Sequence, residues 1–232
     1  MTSPLSGISS MATRQVLAEL IEDFQRHSGQ SVAMESVGGV DAVKRVQAGE
    51  AFDFAVLASD AIDKLIASGH VLAGSKVDLA RSGVAVAVRA GASHPDISTE
   101  AALRDAVWRA RTLSYSTGPS GVALARLFER WGIAEELKPR IVTAPPGVPV
   151  GTLVASGQVE LGFQQLSELM HLPGLDLLGA LPEPVQIITT FSGAACASTS
   201  QAVAVRAMLE FMNSAEAAQT KIRHGMEPAR PV

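Results

Sequence analysis

Val43-Lys-Arg-Val-Gln-Ala-Gly-Glu-Ala-Phe-Asp-Phe-Ala-Val-Leu-Ala-Ser-Asp60 holds a helix end, a turn, a short strand and the next helix start. Val43 and Val46, with Ala42, fall at helical spacing behind a start near Asp41, and Gly49 ends that helix. Residues 52–57 are too few for a stable helix and apolar on both faces, which suits a strand buried between two layers. Asp60 stands where the cap of a helix over 61–67 belongs, and Gly69 closes it.

Upstream the same unit recurs. A strand over 5–9, weakened by Pro4 and Gly7, leads to Ser9 or Ser10 at an N-cap position. A helix follows with Val16, Leu17, Leu20, Ile21 and Phe24 on one face and Gly29 as its C-cap. A strand over 31–35 and the Gly38-Gly39 turn complete three β-α units in roughly 70 residues, the mark of a parallel sheet flanked by helices.

Downstream, Arg81-Ser82-Gly83 opens a strand over 84–89. A second β-α set follows: a helix over 99–110, a strand over 111–114, the Thr117-Gly-Pro-Ser-Gly121 loop and a helix over 122–131. Residues 140–143 read as a strand, then the Pro145-Pro146-Gly147 loop, a helix over 150–156 and strands over 159–163 and 185–191. Helices over 200–212 and 215–224 end the chain. The grouping predicts two lobes, 1–82 with 192–232 and 83–191, joined by crossover strands near 82–89 and 185–193, with the ligand cleft between them. Gly83 and Gly193 stand beside the crossovers, where they can absorb hinge torsion or serve as ordinary turn glycines.

Composition narrows the function. The 232 residues carry a formal net charge of −4 with scattered basic residues and 4% aromatics, so neither a basic face nor stacking rings suggest nucleic acid. No stretch approaches the ~18–20 apolar residues of a membrane span. The first residues lack a basic n-region and a long apolar run, which predicts a cytoplasmic chain as written, or a periplasmic one if a leader has been removed. Cys196, the single cysteine, sits in an apolar run and reads as a buried small hydrophobe. His27, His70, His94, His171 and His224 are isolated, which predicts no metal, and no cofactor motif is present. The 117–121 loop lacks the lysine ending of a nucleotide P-loop and is one residue short of a nucleophile elbow.

Four segments put hydroxyls or bare backbone directly ahead of a helix: Ser9-Ser10, Val37-Gly38-Gly39, Thr117 to Gly121 with Ser120, and Pro146-Gly147-Val148. Helix N-termini present unpaired N–H groups and partial positive charge, so several together can hold an anion without formal charge. Each also has a plain reading as a cap or turn. Their recurrence at the carboxyl ends of strands favours a ligand. Arg81, with Ser82, precedes the first crossover, where a guanidinium can grip a carboxylate with two hydrogen bonds or simply face solvent. Gln164 and Gln165 follow the strand over 159–163 as amide donors or as exposed helix-start residues, and Tyr115 is either a ligand-facing ring or a core residue.

Taken in order, the segments over 43–60, Val159-Glu-Leu-Gly-Phe-Gln-Gln165 and Pro119-Ser-Gly121 resemble the periplasmic molybdate-binding protein family, within the type 2 solute-binding proteins. The resemblance covers nearly the whole chain. It implies an α/β fold of two lobes, each a mainly parallel sheet flanked by helices. It also places Ser10, Gly38 or Gly39, Ser120, Gly147 or Val148, and Gln165 around a ligand. The family's second serine falls on Gly38-Gly39, its tyrosine hydroxyl on Gln165 and an alanine on Ser120. So many donor changes point from molybdate toward a carboxylate.

The expected function is a solute-binding protein that closes on a small anion, with an ABC transporter permease as partner if the chain is exported. The alternative is an isomerase of a small di- or tricarboxylate, since a few proteins with this resemblance isomerise aconitate. Glu35, Glu168 and His171 are then the candidate bases.

Overall fold

A computed structural model describes residues 3–145 and 147–229. In chain order it begins with β1 (Leu5–Ser10), α1 (Arg14–Ser28), β2 (Val32–Val37), α2 (Gly39–Gln47), β3 (Phe54–Ala58), α3 (Ser59–Ala67) and the long β4 (Val77–Arg89). There follow α4 (Glu100–Arg109), β5 (Leu113–Tyr115), α5 (Pro119–Arg130), α6 (Ala134–Leu137), α7 (Val150–Ala155), β6 (Leu161–Gln165) and α8 (Leu166–Leu169). The chain continues through β7 (Leu175–Ala180), β8 (Ile188–Ala195), α9 (Ala202–Met212), α10 (Glu216–Arg223) and β9 (Glu227–Pro228). It divides into two units, one running to Ser82 and resuming at Thr190, the other Gly83–Thr189.

In the first unit β1 is the middle strand, parallel to both β2 and β3, and β3 pairs antiparallel with β8. The expected weakness of β1 is not found. A Cβ on Gly7 would stand 2.2 Å from Phe54 Cζ, so the glycine makes room for a ring that fills the core. Both sheet faces are covered. Leu5, Phe54 and Val56 pack with the α1 stripe and α9, while Ile8, Ala55 and Leu57 pack with α2 and α3. That explains the unbroken apolar run in β3. Each apolar side chain of the α1 stripe contributes roughly 1.5–3 kcal/mol by burial, before chain entropy is set against it. Gly193 is held by packing, because a Cβ there would lie 2.4 Å from Leu209 Cδ2.

In the second unit β5 and β6 are parallel, and β4 runs antiparallel to β6 and β7. Val84, Val86 and Val88 face one core, and Ala85 and Ala87 the other, so Val-Ala alternation places large side chains under α4 and α5 and small ones beneath α8.

Several boundaries differ from expectation. Asp60 does not cap α3, which begins at Ser59 with Ala58 at the N-cap and makes no side-chain cap bond. The strand expected over 140–143 reduces to an Ile141–Leu113 bridge, cut short by a 3-10 turn through Pro139 and by Pro145. The strand expected over 185–191 starts at Ile188, after a 3-10 turn at Glu183–Val185. Strand β7 has no β-branched residue and no sequence signal; it forms because β4 offers it a partner, with a register shift at Val86/Ala87 and Gly179 at φ 124°.

Candidate ligand-binding site

In the first unit the register pairs Ser9 with Ser36 and Ser10 with Val37 at the carboxyl ends of β1 and β2. The hydroxyls of Ser9 and Ser36 are 2.8 Å apart, and Ser9 Oγ also donates to the Ser10 carbonyl at 3.3 Å. Ser10 itself is buried, and its Oγ has no hydrogen-bond partner among the described residues. It precedes a short 3-10 turn that runs into α1, yet its side chain does not cap that turn. Immediately beside it α2 begins, with Gly38 at its N-cap. A Cβ built on Gly39 would sit 3.7 Å from Ser10 Cβ. A buried hydroxyl without a partner among the described residues therefore belongs to a residue in contact with the first turn of a nine-residue helix, whose leading N–H groups have no acceptor within the helix, an arrangement that favours an anion.

Three other expected residues of this unit are placed differently. Arg81 Nη1 is 3.7 Å from the Glu227 carboxylate on β9, and both side chains are largely exposed. Ser82 is buried, with an Oγ that has no partner among the described residues. Glu35 is held by Arg45 at 2.6 Å, which lowers its pKa through that hydrogen bond, and it lies on the exposed side of β2.

The second unit builds a tighter loop. A Cβ on Gly121 would fall 1.6 Å from the Ser116 carbonyl oxygen, so the 116–121 segment folds directly onto the first turn of α5. Ser116 Oγ and the buried Ser120 Oγ are 3.0 Å apart, Pro119 occupies the first turn, and Gly118 is the N-cap. Thr117 is exposed. Gly147 takes φ 76° and Val148 N–H donates to Pro145 O at 3.0 Å, a turn ahead of α7; Pro146 lies outside the described residues.

Gln164 and Gln165 close β6 instead of following it, and both are buried. Gly151 N–H, in the first turn of α7, donates to Gln164 Oε1 at 3.2 Å, and Gln164 Nε2 donates to Glu168 Oε1 at 2.8 Å. Gln165 Nε2 donates to Thr189 Oγ1 at 2.8 Å, leaving its Oε1 buried with no partner among the described residues. An orphaned buried acceptor costs about 1–3 kcal/mol, which a ligand can relieve. Burial pushes the Glu168 carboxyl up to about 7 despite the Gln164 hydrogen bond. His171 is exposed just beyond α8. Tyr115 packs edge-on against Phe128, ring centroids 5.9 Å apart, and burial raises its pKa. Cys196 is buried, its thiol pushed up to about 12, which suits a packing role.

Each unit thus gathers its own expected set: Ser9, Ser10, Gly38 and Gly39 in the first; Ser120, Gly121, Gln164, Gln165 and Glu168 in the second. Sequence reasoning passed over Ser36, Ser116 and Thr189. The first two stand next to segments that were singled out, whereas Thr189 meets Gln165 only through tertiary packing.

The model of the bacterial extracellular solute-binding protein family matches residues 5–227. The chain belongs to that family. It is 36% identical over 232 residues to a Pseudomonas sp. protein named aconitate isomerase, covering 97% of this chain and 87% of that one. Among solved structures, the periplasmic molybdate-binding protein of Azotobacter vinelandii superposes with a TM-score of 0.80 at 19% identity, covering 97% of this chain and 100% of that one. The sulfate-binding protein of Mycobacterium tuberculosis superposes at 0.81 and 15% identity, covering 99% and 88%. This family member has the mixed α/β fold of type 2 periplasmic binding proteins. No helix among its described residues is long and apolar enough to cross a membrane.

Proposed function

We propose that the chain binds a small di- or tricarboxylate and isomerises it by moving a proton. This is the alternative of the two readings drawn from the sequence, and the likeness along nearly the full length to a protein named aconitate isomerase carries it. The site chemistry supports it. Hydroxyls and backbone N–H groups at Ser10 and Gly39 in the first unit, and at Ser120 in the second, suit carboxylate oxygens, and the Ser10 hydroxyl awaits a partner. In this reading Arg81 exchanges Glu227 for a ligand carboxylate, and unimpaired binding by Arg81→Ala removes it from the site.

A receptor that delivers an anion to an ABC transporter permease is the second reading, supported by the extracellular solute-binding family model. The same model supports a place for the chain outside the inner membrane.

NMR of the wild-type protein with cis- and trans-aconitate separates the two readings. Interconversion of the isomers supports the enzyme. Binding without interconversion, seen as a raised melting temperature, returns the chain to the receptor reading. A ligand at ~100 times its Kd adds ~2.7 kcal/mol of stability. Molybdate, tungstate, sulfate and phosphate run in parallel, and a response confined to them overturns the carboxylate assignment.

A further inference from the structure

Gln165 and Glu168 stand at the first and fourth positions of the turn that opens α8, the spacing of a capping box, which brings side chains together. Gln165 carries a buried carboxamide oxygen without a partner among the described residues, an acceptor open to a donating group of a ligand at this turn, such as a protonated carboxyl. Glu168 does not reach back to cap the helix; its carboxylate is held at 2.8 Å by Gln164 Nε2. Gln164 is in turn pinned through its oxygen by Gly151 N–H at 3.2 Å. Because the donor and acceptor ends of the Gln164 amide are both engaged, its orientation is set, and one Glu168 oxygen is fixed with it.

We propose that Glu168 takes the proton from the substrate carbon and returns it, and that Gln164 is its positioning residue. The inference rests on the isomerase reading. A methylene between a carboxylate and a carbon–carbon double bond is the acidic position of an unsaturated tricarboxylate. Glu168 removes one proton there and the C–H electron pair spreads over the three-carbon system and its carboxylates. The same proton then goes back to the far carbon as the double bond reforms one position along. No atom or electron is gained or lost. Burial of Glu168 makes it a stronger base than a solvated carboxylate. Few other titratable groups lie on the elements packed against α8. Strand β6 and helix α7 have none, β4 has Arg89 beyond Ala85 and Ala87, β7 has Asp176, held by Gly91 N–H and His94, and His171 follows the helix.

The test follows cis–trans interconversion of aconitate by NMR across a pH series, with thermal shift by the same compound as the binding readout. Glu168→Gln is expected to lower the rate ~10²–10⁴-fold while the ligand-induced shift remains. Gln164→Leu is expected to lower the rate less and to move the rising limb of the pH profile, near 7 in the wild type, to higher pH, because it removes the hydrogen bond that favours the charged carboxylate. A Glu168→Gln protein within tenfold of the wild-type rate overturns the proposal. So does a rate loss matched by lost binding, or an unmoved limb in Gln164→Leu. A wild-type protein that interconverts no aconitate is a separate result, seen before any variant is made, and it removes the isomerase reading together with this inference.

Discussion

The carbonyl oxygen of Ser116 rests on the α-carbon of Gly121, where any side chain would begin only 1.6 Å away. The contact folds the 116–121 loop over the first turn of α5 and sets the Ser116–Ser120 hydroxyl pair at 3.0 Å. The obstacle is backbone, so no rotamer change can relieve it.

Gly121→Ala therefore forces the loop off the helix. Overpacking of this kind costs about 1–3 kcal/mol, with the upper end expected here. Thermal or urea unfolding measures the loss, and the ligand-induced shift should fall with it. Gly118→Ala is the control: the nearest atom to its Cβ is Ser116 Oγ at 4.0 Å, so it should cost much less.

Gln165→Leu is expected to separate stability from binding. The amide oxygen is buried without a partner among the described residues, so removing it relieves an unmet demand of about 1–3 kcal/mol. The lost Thr189 contact offsets part of that, although half-buried Thr189 can turn to water. The free variant should melt at or above the wild-type temperature and lose its response to ligands that reach this oxygen through a hydroxyl or a protonated carboxyl, the groups able to donate to it. A clear drop in the free protein's melting temperature would mean that the amide is chiefly structural.

The first unit was largely legible because its signals are local. The α1 stripe, Gly29 and the two-faced apolar run in β3 each declare themselves within a few residues. What escaped is tertiary. Strand β7 exists because β4 needs an edge partner, and Gly7 reads as a weakness until Phe54 is seen beneath it. In the site, helix starts rich in serine and glycine mark candidate anion contacts, but which oxygens lack partners depends on packing. Glu168 and Glu35 look alike as residues; Arg45 satisfies one at the surface, and burial leaves the other with an amide.

Glu168 also makes stability depend on pH. Burial raises its pKa from the usual 4.5 to about 7, so between those values the folded chain binds more protons than the unfolded one. Stability from this group is full below about 4.5, falls as pH rises, and levels off above about 7. Glu168→Gln removes the dependence and keeps an acceptor for Gln164. The melting-temperature advantage of the variant should grow from pH 5 to pH 7 and then stay constant, reaching at most ~3 kcal/mol in free-energy terms. An advantage independent of pH would place the ionisation elsewhere.

Gly39→Ser tests what decides oxyanion against carboxylate. The resemblance to the molybdate-binding proteins implies a serine of theirs at the Gly38-Gly39 pair, a hydroxyl that glycine does not supply beside Ser10. Gly39 has no positive φ, and a Cβ there meets only Ser10 Cβ, at the ordinary distance of 3.7 Å. The substitution should therefore be tolerated, with a stability change within about 1 kcal/mol. The added hydroxyl can satisfy Ser10 Oγ in the free protein or join it on a tetrahedral oxyanion. In the first case the variant melts higher and binds carboxylates less well, because the Ser10 hydroxyl is no longer waiting for a partner. In the second it acquires a thermal response to molybdate or tungstate. Either result ties ligand choice to the Ser10–Gly39 contact. An unchanged melting temperature with unchanged ligand response would show that the N-terminus of α2 does not take part in recognition.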